Sequence, residues 1–174
     1  MKRVLLTGMS GTGKSTLVAE LASRGYKAVD ADYGLSERGP DGDWVWREDR
    51  IQHLLATEDA EVLFVGGCAT NQGKFYPQFD LVVLLSAPAE VILERLANRT
   101  TNPYGRTPEE RAEVLGYLET VEPLLRRSAG LEVDTQASLG RVTNHIVHTL
   151  GSPAAGGTRD PPMSSPEPRE GGRF

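Results

Sequence analysis

Residues 8–15 read Gly8-Met9-Ser10-Gly11-Thr12-Gly13-Lys14-Ser15, and they lie between a short apolar run and a run with helical periodicity. This spacing matches GxxxxGK[ST] without a mismatch, and the strand, loop and helix context makes the match specific. Glycines let backbone N–H groups turn toward phosphate oxygens, and the helix N-terminus adds partial positive charge. The octapeptide therefore predicts a phosphate-binding loop, or P-loop.

The side chains of this loop indicate which ligand it holds. Lys14 is placed to reach the terminal phosphates of a nucleotide, and Ser15 is placed to bind Mg²⁺. We expect ATP as the nucleotide, bound by Gly8, Ser10, Gly11, Thr12, Gly13, Lys14, Ser15 and Thr16. The alternative is a glycine-rich turn that only connects a strand to a helix, but it would leave Lys14 and Ser15 unexplained.

Apolar runs alternate with amphipathic stretches over residues 1–150, as in βαβ units with a parallel sheet. The pattern predicts an α/β domain with five strands, at 3–7, 27–29, 62–65, 81–85 and 131–133. Helices are predicted at 14–24, 44–56, 88–99 and 139–150, and another begins in a capping box at Thr107 and is interrupted by Pro123.

Length, charge and composition limit the classes of protein that this chain can represent. Its 174 residues fit one catalytic domain, predicted at 1–150, and the Gly-, Pro- and Ser-rich segment 151–174 is predicted to be a disordered tail. The net charge of −5 gives no reason to expect nucleic acid as a partner. Cys68 is the one cysteine, which excludes an internal disulfide.

The first residues contain too short an apolar run for a signal peptide or a membrane span. We therefore expect a cytoplasmic protein that does not bind membranes. A monomer and a homodimer remain equally open.

Two classes of P-loop protein are disfavoured by the residues at the ends of the predicted strands. The third strand ends Val65-Gly66-Gly67, without the acidic residue that motor and AAA-type ATPases carry there, and no Asn-Lys-x-Asp segment is present to recognise guanine. Asp30 and Asp32 instead come directly after the second strand. One carboxylate can order Mg²⁺ with Ser15 while the other accepts the proton of an attacking hydroxyl; the alternative is an acidic surface turn.

Several landmarks occur in the same order as in shikimate kinases, which belong to the nucleoside-monophosphate-kinase-like group, and the resemblance spans residues 1–150. The landmarks are the P-loop, Asp30-x-Asp32, Gly66-Gly67, Pro123-Leu124-Leu125-Arg126-Arg127 and Val133-Asp134-Thr135. The resemblance implies a five-stranded parallel sheet of order 2-3-1-4-5, the P-loop NTPase fold and a small mobile lid. The implied activity is ATP- and Mg²⁺-dependent phosphoryl transfer to a small-molecule acceptor.

The same resemblance implies roles for individual residues on the acceptor side of the site. Asp30 would bind the metal together with Ser15, and Asp32 would face the acceptor as a catalytic residue beside Lys14. Gly66 and Gly67 would present backbone N–H groups to the acceptor. The chain departs from the family at Cys68, where a third glycine is usual.

Arginines are expected to stabilise charge on the transferred phosphoryl group. Arg95 and Arg99 stand four residues apart on one helical face. The resemblance implies that Arg95 stacks on adenine, that Arg99 contacts phosphates and that a lid covers about 99–111, with Arg106 and Arg111 as its arginines. The catalytic set is then Lys14, Asp32, Arg99 and Arg106, and Asp134 and Thr135 pass the far side of the adenine.

The predicted acceptor site departs from shikimate kinases. Arg47 stands where one carboxylate-binding arginine is expected, but Val121 replaces the second one. Losing one of two charge-assisted contacts would cost about 1.5–3 kcal/mol, which indicates a substrate other than shikimate. Trp44 and Trp46 are candidates either for an aromatic wall at this site or for core packing.

Two alternatives to a hydroxyl kinase stay open. The first is a nucleotide or coenzyme-precursor kinase, acting on a nucleoside monophosphate or on dephospho-coenzyme A, because Val29-Asp30-Ala31-Asp32 is also similar to dephospho-coenzyme A kinases. The second is a non-catalytic ATP-binding sensor.

Overall fold

The computed structural model describes residues 1–151. Its strands are β1 (Lys2–Thr7), β2 (Lys27–Asp30), β3 (Ser36–Arg38), β4 (Trp44–Trp46), β5 (Val62–Gly66), β6 (Leu81–Ser86) and β7 (Leu131–Asp134). Five of them form a parallel sheet of order β2-β5-β1-β6-β7, and β3 and β4 form a separate antiparallel pair. The predicted topology 2-3-1-4-5 is confirmed, because these five strands correspond in chain order to the five predicted.

The short hairpin of β3 and β4 corrects the helix predicted at 44–56. Trp44 pairs with Arg38, and Trp46 pairs with Ser36. Trp44 is exposed and Trp46 is buried, and these aromatic residues flank the β-branched Val45, a composition that favours a strand. The helix begins only at Glu48, where two acidic residues in the first turn complement its dipole.

The helices are α1 (Lys14–Ser23), α2 (Glu48–Ala56), α3 (Ala89–Asn98), α4 (Pro108–Thr120), α5 (Glu122–Ser128) and α6 (Leu139–Gly151). Pro123 stands in the first turn of α5, so the predicted interruption of the helix is confirmed. The capping box is confirmed as well, since the backbone N–H of Glu110 donates to Thr107 Oγ1 at 3.2 Å and the Glu110 carboxylate accepts from the Thr107 N–H. A 3₁₀ helix at Gln72–Gln78 was not predicted.

The core lies on both faces of the parallel sheet because side chains along each strand alternate between the faces. Val4 and Leu6 of β1 pack on one face with α1 and α6, whereas Leu5 packs on the other with α2 and the 3₁₀ helix. Parallel strands end at the same edge of the sheet, so the loops after β1, β2, β5, β6 and β7 meet there.

The predicted tail lies outside the described residues from 152 onward, and Gly151 is the last residue of α6. Within residues 1–151, no helix combines the length and the apolar character that a membrane crossing requires.

Candidate active site

The P-loop runs from the end of the central strand β1 into α1, as its sequence context predicts. Gly11 and Gly13 have φ angles of 83° and 96°, a region that L-residues rarely adopt. Inside the loop, the buried Thr12 donates through Oγ1 to the Met9 carbonyl at 2.7 Å. Lys14 Nζ donates to the carbonyls of Gly8 at 2.6 Å and Met9 at 3.1 Å. The loop and its lysine therefore form one compact cationic turn.

Neighbouring elements leave no room for side chains at two of these glycines. A Cβ at Gly8 would lie 2.4 Å from the Leu85 carbonyl oxygen on β6. A Cβ at Gly11 would lie 3.0 Å from Ile92 and 3.1 Å from Leu96 on α3. The P-loop is thus held between β6 and α3, and its backbone can approach a ligand closely.

A hydroxyl and a carboxylate meet beside the loop. Ser15 Oγ donates to Asp30 Oδ2 at 2.6 Å, and Asp30 Oδ1 accepts the backbone N–H of Asp32 at 3.1 Å. Both side chains supply oxygen, the ligand atom that Mg²⁺ prefers. Within residues 1–151, no group of three or more His, Cys, Asp and Glu side chains is arranged to hold a metal ion. A metal here would depend on phosphate and water oxygens as well, which is usual for Mg²⁺ in kinases.

Asp32 lies two residues beyond Asp30, just after the end of β2. Its side chain keeps access to solvent, but the protein atoms around it raise the pKa of the carboxyl above its usual range by desolvation. The Lys14 charge and the Cys68 N–H lower this pKa, and the Asp30 charge raises it. Cys68 N donates to Asp32 Oδ1 at 3.3 Å. A carboxylate whose pKa is raised is a stronger proton acceptor than an ordinary aspartate.

Gly66 is the last residue of β5 and Gly67 follows it, and the sequence predicts that both present backbone N–H groups to the acceptor. The N–H of Gly67 donates to the Leu6 carbonyl at 3.0 Å, so it pairs with β1 and does not face an acceptor. Gly67 is needed for space, because a Cβ there would lie 3.0 Å from Asp32 Oδ1 and 3.2 Å from Trp46 Nε1. A Cβ at Gly66 would lie 2.5 Å from Val18 of α1. Both glycines permit close packing around Asp32 and the P-loop.

Cys68, the next residue after these glycines, is half-buried against the P-loop. Burial raises the pKa of its thiol, while the Lys14 charge and hydrogen bonds with the Thr7 side chain and the Gly8 backbone lower it. The net direction is upward. Cys68 is therefore a neutral thiol packed beside the phosphate loop.

Arg95 connects the P-loop to the loop after β7. Its guanidinium donates to the Gly11 carbonyl at 3.3 Å, to Thr135 Oγ1 at 2.8 Å and to the Thr135 carbonyl at 2.7 Å. Asp134 turns away and accepts the backbone N–H of Gln136 at 2.8 Å. The structure therefore brings Arg95 and Thr135 to the phosphate loop, whereas Asp134 closes its own turn.

Arg99 and Arg106 lie together in the segment between α3 and α4. Arg99 donates to the carbonyls of Asn102 and Tyr104, at 2.8 and 3.0 Å, and Arg106 donates to the Arg99 carbonyl. Burial lowers the pKa of Arg99, and the Arg106 charge lowers it further. The exposed Arg111 lies in the first turn of α4, beyond this pair.

The hairpin of β3 and β4 and the residue after it include Trp44, Trp46 and Arg47, which the sequence analysis considers for the acceptor site. Arg47, directly after β4, has its Nε 3.8 Å from Glu37 Oε2. Trp46 is 1% exposed and packs on Phe75, with 5.9 Å between ring centroids, so it belongs to the core. Trp44 is 50% exposed, and the Arg38 guanidinium lies 4.9 Å from its ring centroid.

Gln72, the first residue of the 3₁₀ helix, was missed by the sequence reasoning. It is buried, and its Nε2 donates to Thr7 Oγ1 at 3.1 Å and to the Tyr76 hydroxyl at 2.8 Å. Its Oε1 accepts the Ala69 N–H at 3.1 Å. Gln72 thus fastens the loop that carries Cys68 to the end of β1. A glutamine between an Asn and a Gly reads as loop sequence, so nothing nearby marks it.

A profile of the AAA domain family matches residues 4–116. Shikimate kinase from Psychrobacter arcticus is 30% identical over 165 residues, covering 86% of this chain and 89% of that protein. Shikimate kinase from Mycobacterium tuberculosis is 28% identical over 167 residues, covering 87% and 95%.

Solved structures show the same fold. Shikimate kinase from Acinetobacter baumannii in complex with shikimate has a TM-score of 0.63 at 24% identity, covering 86% of this chain and 93% of that one. Deoxyadenosine kinase from M. mycoides has a TM-score of 0.61 at 15% identity, covering 87% and 100%. A gluconokinase from Sinorhizobium meliloti has a TM-score of 0.60 at 22% identity, covering 86% and 91%. The profile is named for the AAA domain, but the relatives that cover most of the chain are kinases, which agrees with the absence of the AAA-type acidic residue at Val65-Gly66-Gly67. The chain therefore belongs to the AAA domain family, as a P-loop small-molecule kinase of the nucleoside-monophosphate-kinase-like group that resembles shikimate kinases.

Proposed function

We propose that this protein transfers the γ-phosphate of ATP, in the presence of Mg²⁺, to a hydroxyl group of a small-molecule acceptor. The observation that carries the proposal is that Asp30 and Asp32 lie in different surroundings. Asp30 is hydrogen-bonded to Ser15 of the P-loop, whereas Asp32, whose side chain keeps access to solvent, has a carboxyl pKa raised by desolvation from the surrounding protein and lies near Lys14. A desolvated carboxylate suits a hydroxyl acceptor, because a phosphate acceptor is already ionised and needs no base.

The corner formed by Ser15 and Asp30 fits a magnesium ion by the chemistry of its donors, which are a hydroxyl and a carboxylate oxygen. Mg²⁺, when bound, neutralises negative charge on the nucleotide phosphates. We assign Ser15 and Asp30 to hold it. The P-loop residues from Gly8 to Thr16, together with Arg95 and Thr135, would hold the nucleotide.

Four side chains act in the transfer step. Asp32 accepts the proton of the acceptor hydroxyl while the acceptor oxygen bonds to the γ-phosphorus and the bond to the β–γ bridging oxygen breaks, so that ADP leaves. Lys14 stabilises the charge that develops on the phosphoryl oxygens. Arg99 and Arg106 are adjacent cations that would do the same from the lid side.

The charges on the acceptor side support an acceptor other than shikimate. Arg47 has Glu37 as a partner at 3.8 Å, so a carboxylate ligand would compete with Glu37 for the guanidinium. Val121, at the position of the second expected arginine, packs in an apolar cluster with Met9, Leu84 and Leu125. An acceptor without a carboxylate fits these surroundings better than shikimate does.

A screen of acceptors by coupled ADP release tests the proposal. Mg·ATP would be offered with shikimate, nucleosides, nucleoside monophosphates, sugars, sugar acids and dephospho-coenzyme A, and Lys14→Ala would serve as the inactive control. We expect turnover with a hydroxyl acceptor, and weak or no turnover with shikimate. Turnover with nucleoside monophosphates or dephospho-coenzyme A, kept in Asp32→Asn, would favour the nucleotide or coenzyme-precursor alternative. Tight ATP binding without transfer to any acceptor would favour a sensor.

A further inference from the structure

The indole nitrogen of Trp46 is an unusual buried donor. The side chain is 1% exposed, and its Nε1 has no hydrogen-bond partner among the described residues. Buried polar groups are nearly always paired, since an unpaired donor gives up its hydrogen bonds to water without replacement. We therefore expect an acceptor for this N–H among the groups that surround it.

The indole nitrogen of Trp46 lies beside Gly67, at the point where any other residue would place its Cβ. A Cβ at Gly67 would lie 3.2 Å from Trp46 Nε1 and 3.3 Å from Trp46 Cζ2, so the nitrogen-bearing edge of the ring borders this point. The same Cβ would lie 3.0 Å from Asp32 Oδ1. The buried donor and the carboxylate thus border one small space, and glycine is the residue that leaves it open.

Asp32 has room for a further donor. Its Oδ1 accepts the Cys68 N–H at 3.3 Å, a long contact, and a carboxylate oxygen can accept two hydrogen bonds. Movement of the Asp32 side chain toward the indole would pair the donor with the carboxylate.

Trp46 is held in place through its backbone and through one contact of its ring. The Trp46 backbone N–H donates to Asn71 Oδ1 at 2.8 Å, and Asn71 Nδ2 donates to the Trp46 carbonyl at 2.9 Å. The ring rests on Phe75, which is itself buried. Because these contacts fix the ring, its N–H has a fixed direction, as preorganised donors require.

We propose that Trp46 is a positioning residue, whose Nε1–H donates to the Asp32 carboxylate and holds it toward the reacting hydroxyl. The pairing itself stands on the geometry around Gly67. Its effect on catalysis rests on the proposed function, since it assumes that Asp32 accepts a proton from the acceptor. The two parts can be tested separately.

The pairing is tested by NMR of the full chain, without acceptor or nucleotide. The sequence has two tryptophans, so Trp44→Phe leaves Trp46 as the one source of an indole N–H resonance. In that background, Asp32→Ala should shift this resonance upfield and speed its hydrogen exchange, because the charged partner is gone. Asp41→Ala, at an exposed aspartate in the β3–β4 turn, is the matched control. An indole resonance that responds to Asp32→Ala no more than to Asp41→Ala would overturn the pairing.

The catalytic part is tested by removing only the N–H. In the Trp44→Phe background, benzothienylalanine at position 46 keeps the size of the ring and has no donor. ADP release from Mg·ATP, with the acceptor found by the screen, should fall about 10- to 100-fold in kcat, the worth of one hydrogen bond to a charged group, and KM for ATP should change little. In the Asp32→Asn background the same replacement should have little further effect.

An equal loss in both backgrounds, or an unchanged kcat, would refute positioning through Asp32. Absence of phosphoryl transfer from the parent protein to any acceptor would refute the proposed function and leave the NMR result to decide the pairing.

Discussion

Exchanging each member of the aspartate pair for asparagine should separate a proton acceptor from a metal ligand. Asp32→Asn keeps an oxygen that can accept the Cys68 N–H, so the local structure is expected to persist. It removes the group that accepts the hydroxyl proton. A positioned general base contributes about 10²- to 10⁴-fold, so kcat should fall by that factor, equivalent to about 2.7–5.4 kcal/mol of activation free energy.

Asp30→Asn should act on the metal instead. The Asp30 carboxylate accepts hydrogen bonds from Ser15 Oγ at 2.6 Å and from Asp32 N at 3.1 Å, so it is fixed in place. Replacing one charge-assisted contact costs about 1.5–3 kcal/mol, a factor of about 10–150 in affinity. We expect the Mg²⁺ concentration for half-maximal rate to rise by that factor, with a smaller change in the rate at saturating Mg²⁺.

The assay is the initial rate of ADP release as a function of Mg²⁺ concentration for wild type, both variants and the control Asp41→Asn. The acceptor is the one found by the screen. If Asp32→Asn alters the Mg²⁺ response and Asp30→Asn does not, the two roles are reversed. If both variants keep wild-type rates at all Mg²⁺ concentrations, the pair is only an acidic turn and the hydroxyl-kinase proposal is refuted.

Four further predictions concern other parts of the chain. Lys14→Ala should abolish phosphoryl transfer in a protein that still unfolds cooperatively; wild-type turnover would refute the P-loop assignment. Because burial raises the pKa of Asp32, the rate of the wild type should fall on acidification at a higher pH than an ordinary aspartate would give, and a pH–rate profile in which Asp32→Asn shows the same fall would argue against this base. ATP with the acceptor should slow hydrogen exchange in residues 100–111, and equal protection with and without ligands would mean that the lid is misplaced. Deleting residues 152–174 should change neither stability nor turnover appreciably, which thermal unfolding and ADP release would check.

Patterns of short range predicted most of the fold. The alternation of apolar and amphipathic runs predicted all five parallel strands, and Thr107 with Glu110 predicted a helix start to the residue. The hairpin was not predicted because Trp44, Val45 and Trp46 adjoin an amphipathic helix and resemble its first turn, and their burial increases from Trp44 to Trp46 without the alternation that would mark a strand. A three-residue strand is too short for its period to outweigh that of a longer helix beside it.

The candidate site was predictable where chemistry is encoded by neighbours in sequence. Lys14, Ser15 and the aspartate pair belong to short motifs, and the structure brings Ser15 and Asp30 into contact. Contacts between distant segments were not predictable: Gln72 reaches Thr7 across 65 residues, and Gly67 separates Asp32 from Trp46. These contacts depend on the order of the strands in the sheet, which brings loops that are distant in sequence to the same edge. No local sequence pattern predicts them.

The proximity of Arg99 and Arg106 has a consequence for the order of events after transfer. Two neighbouring guanidinium groups repel each other, and burial of Arg99 strengthens the repulsion because screening by water is weaker there. A polyanion between them would replace repulsion by attraction. ATP carries more negative charge than ADP, so we expect the segment between α3 and α4 to close more tightly on the substrate than on the product. Loss of the γ-phosphoryl group would then weaken the closed state of this segment, so that ADP is released only after transfer.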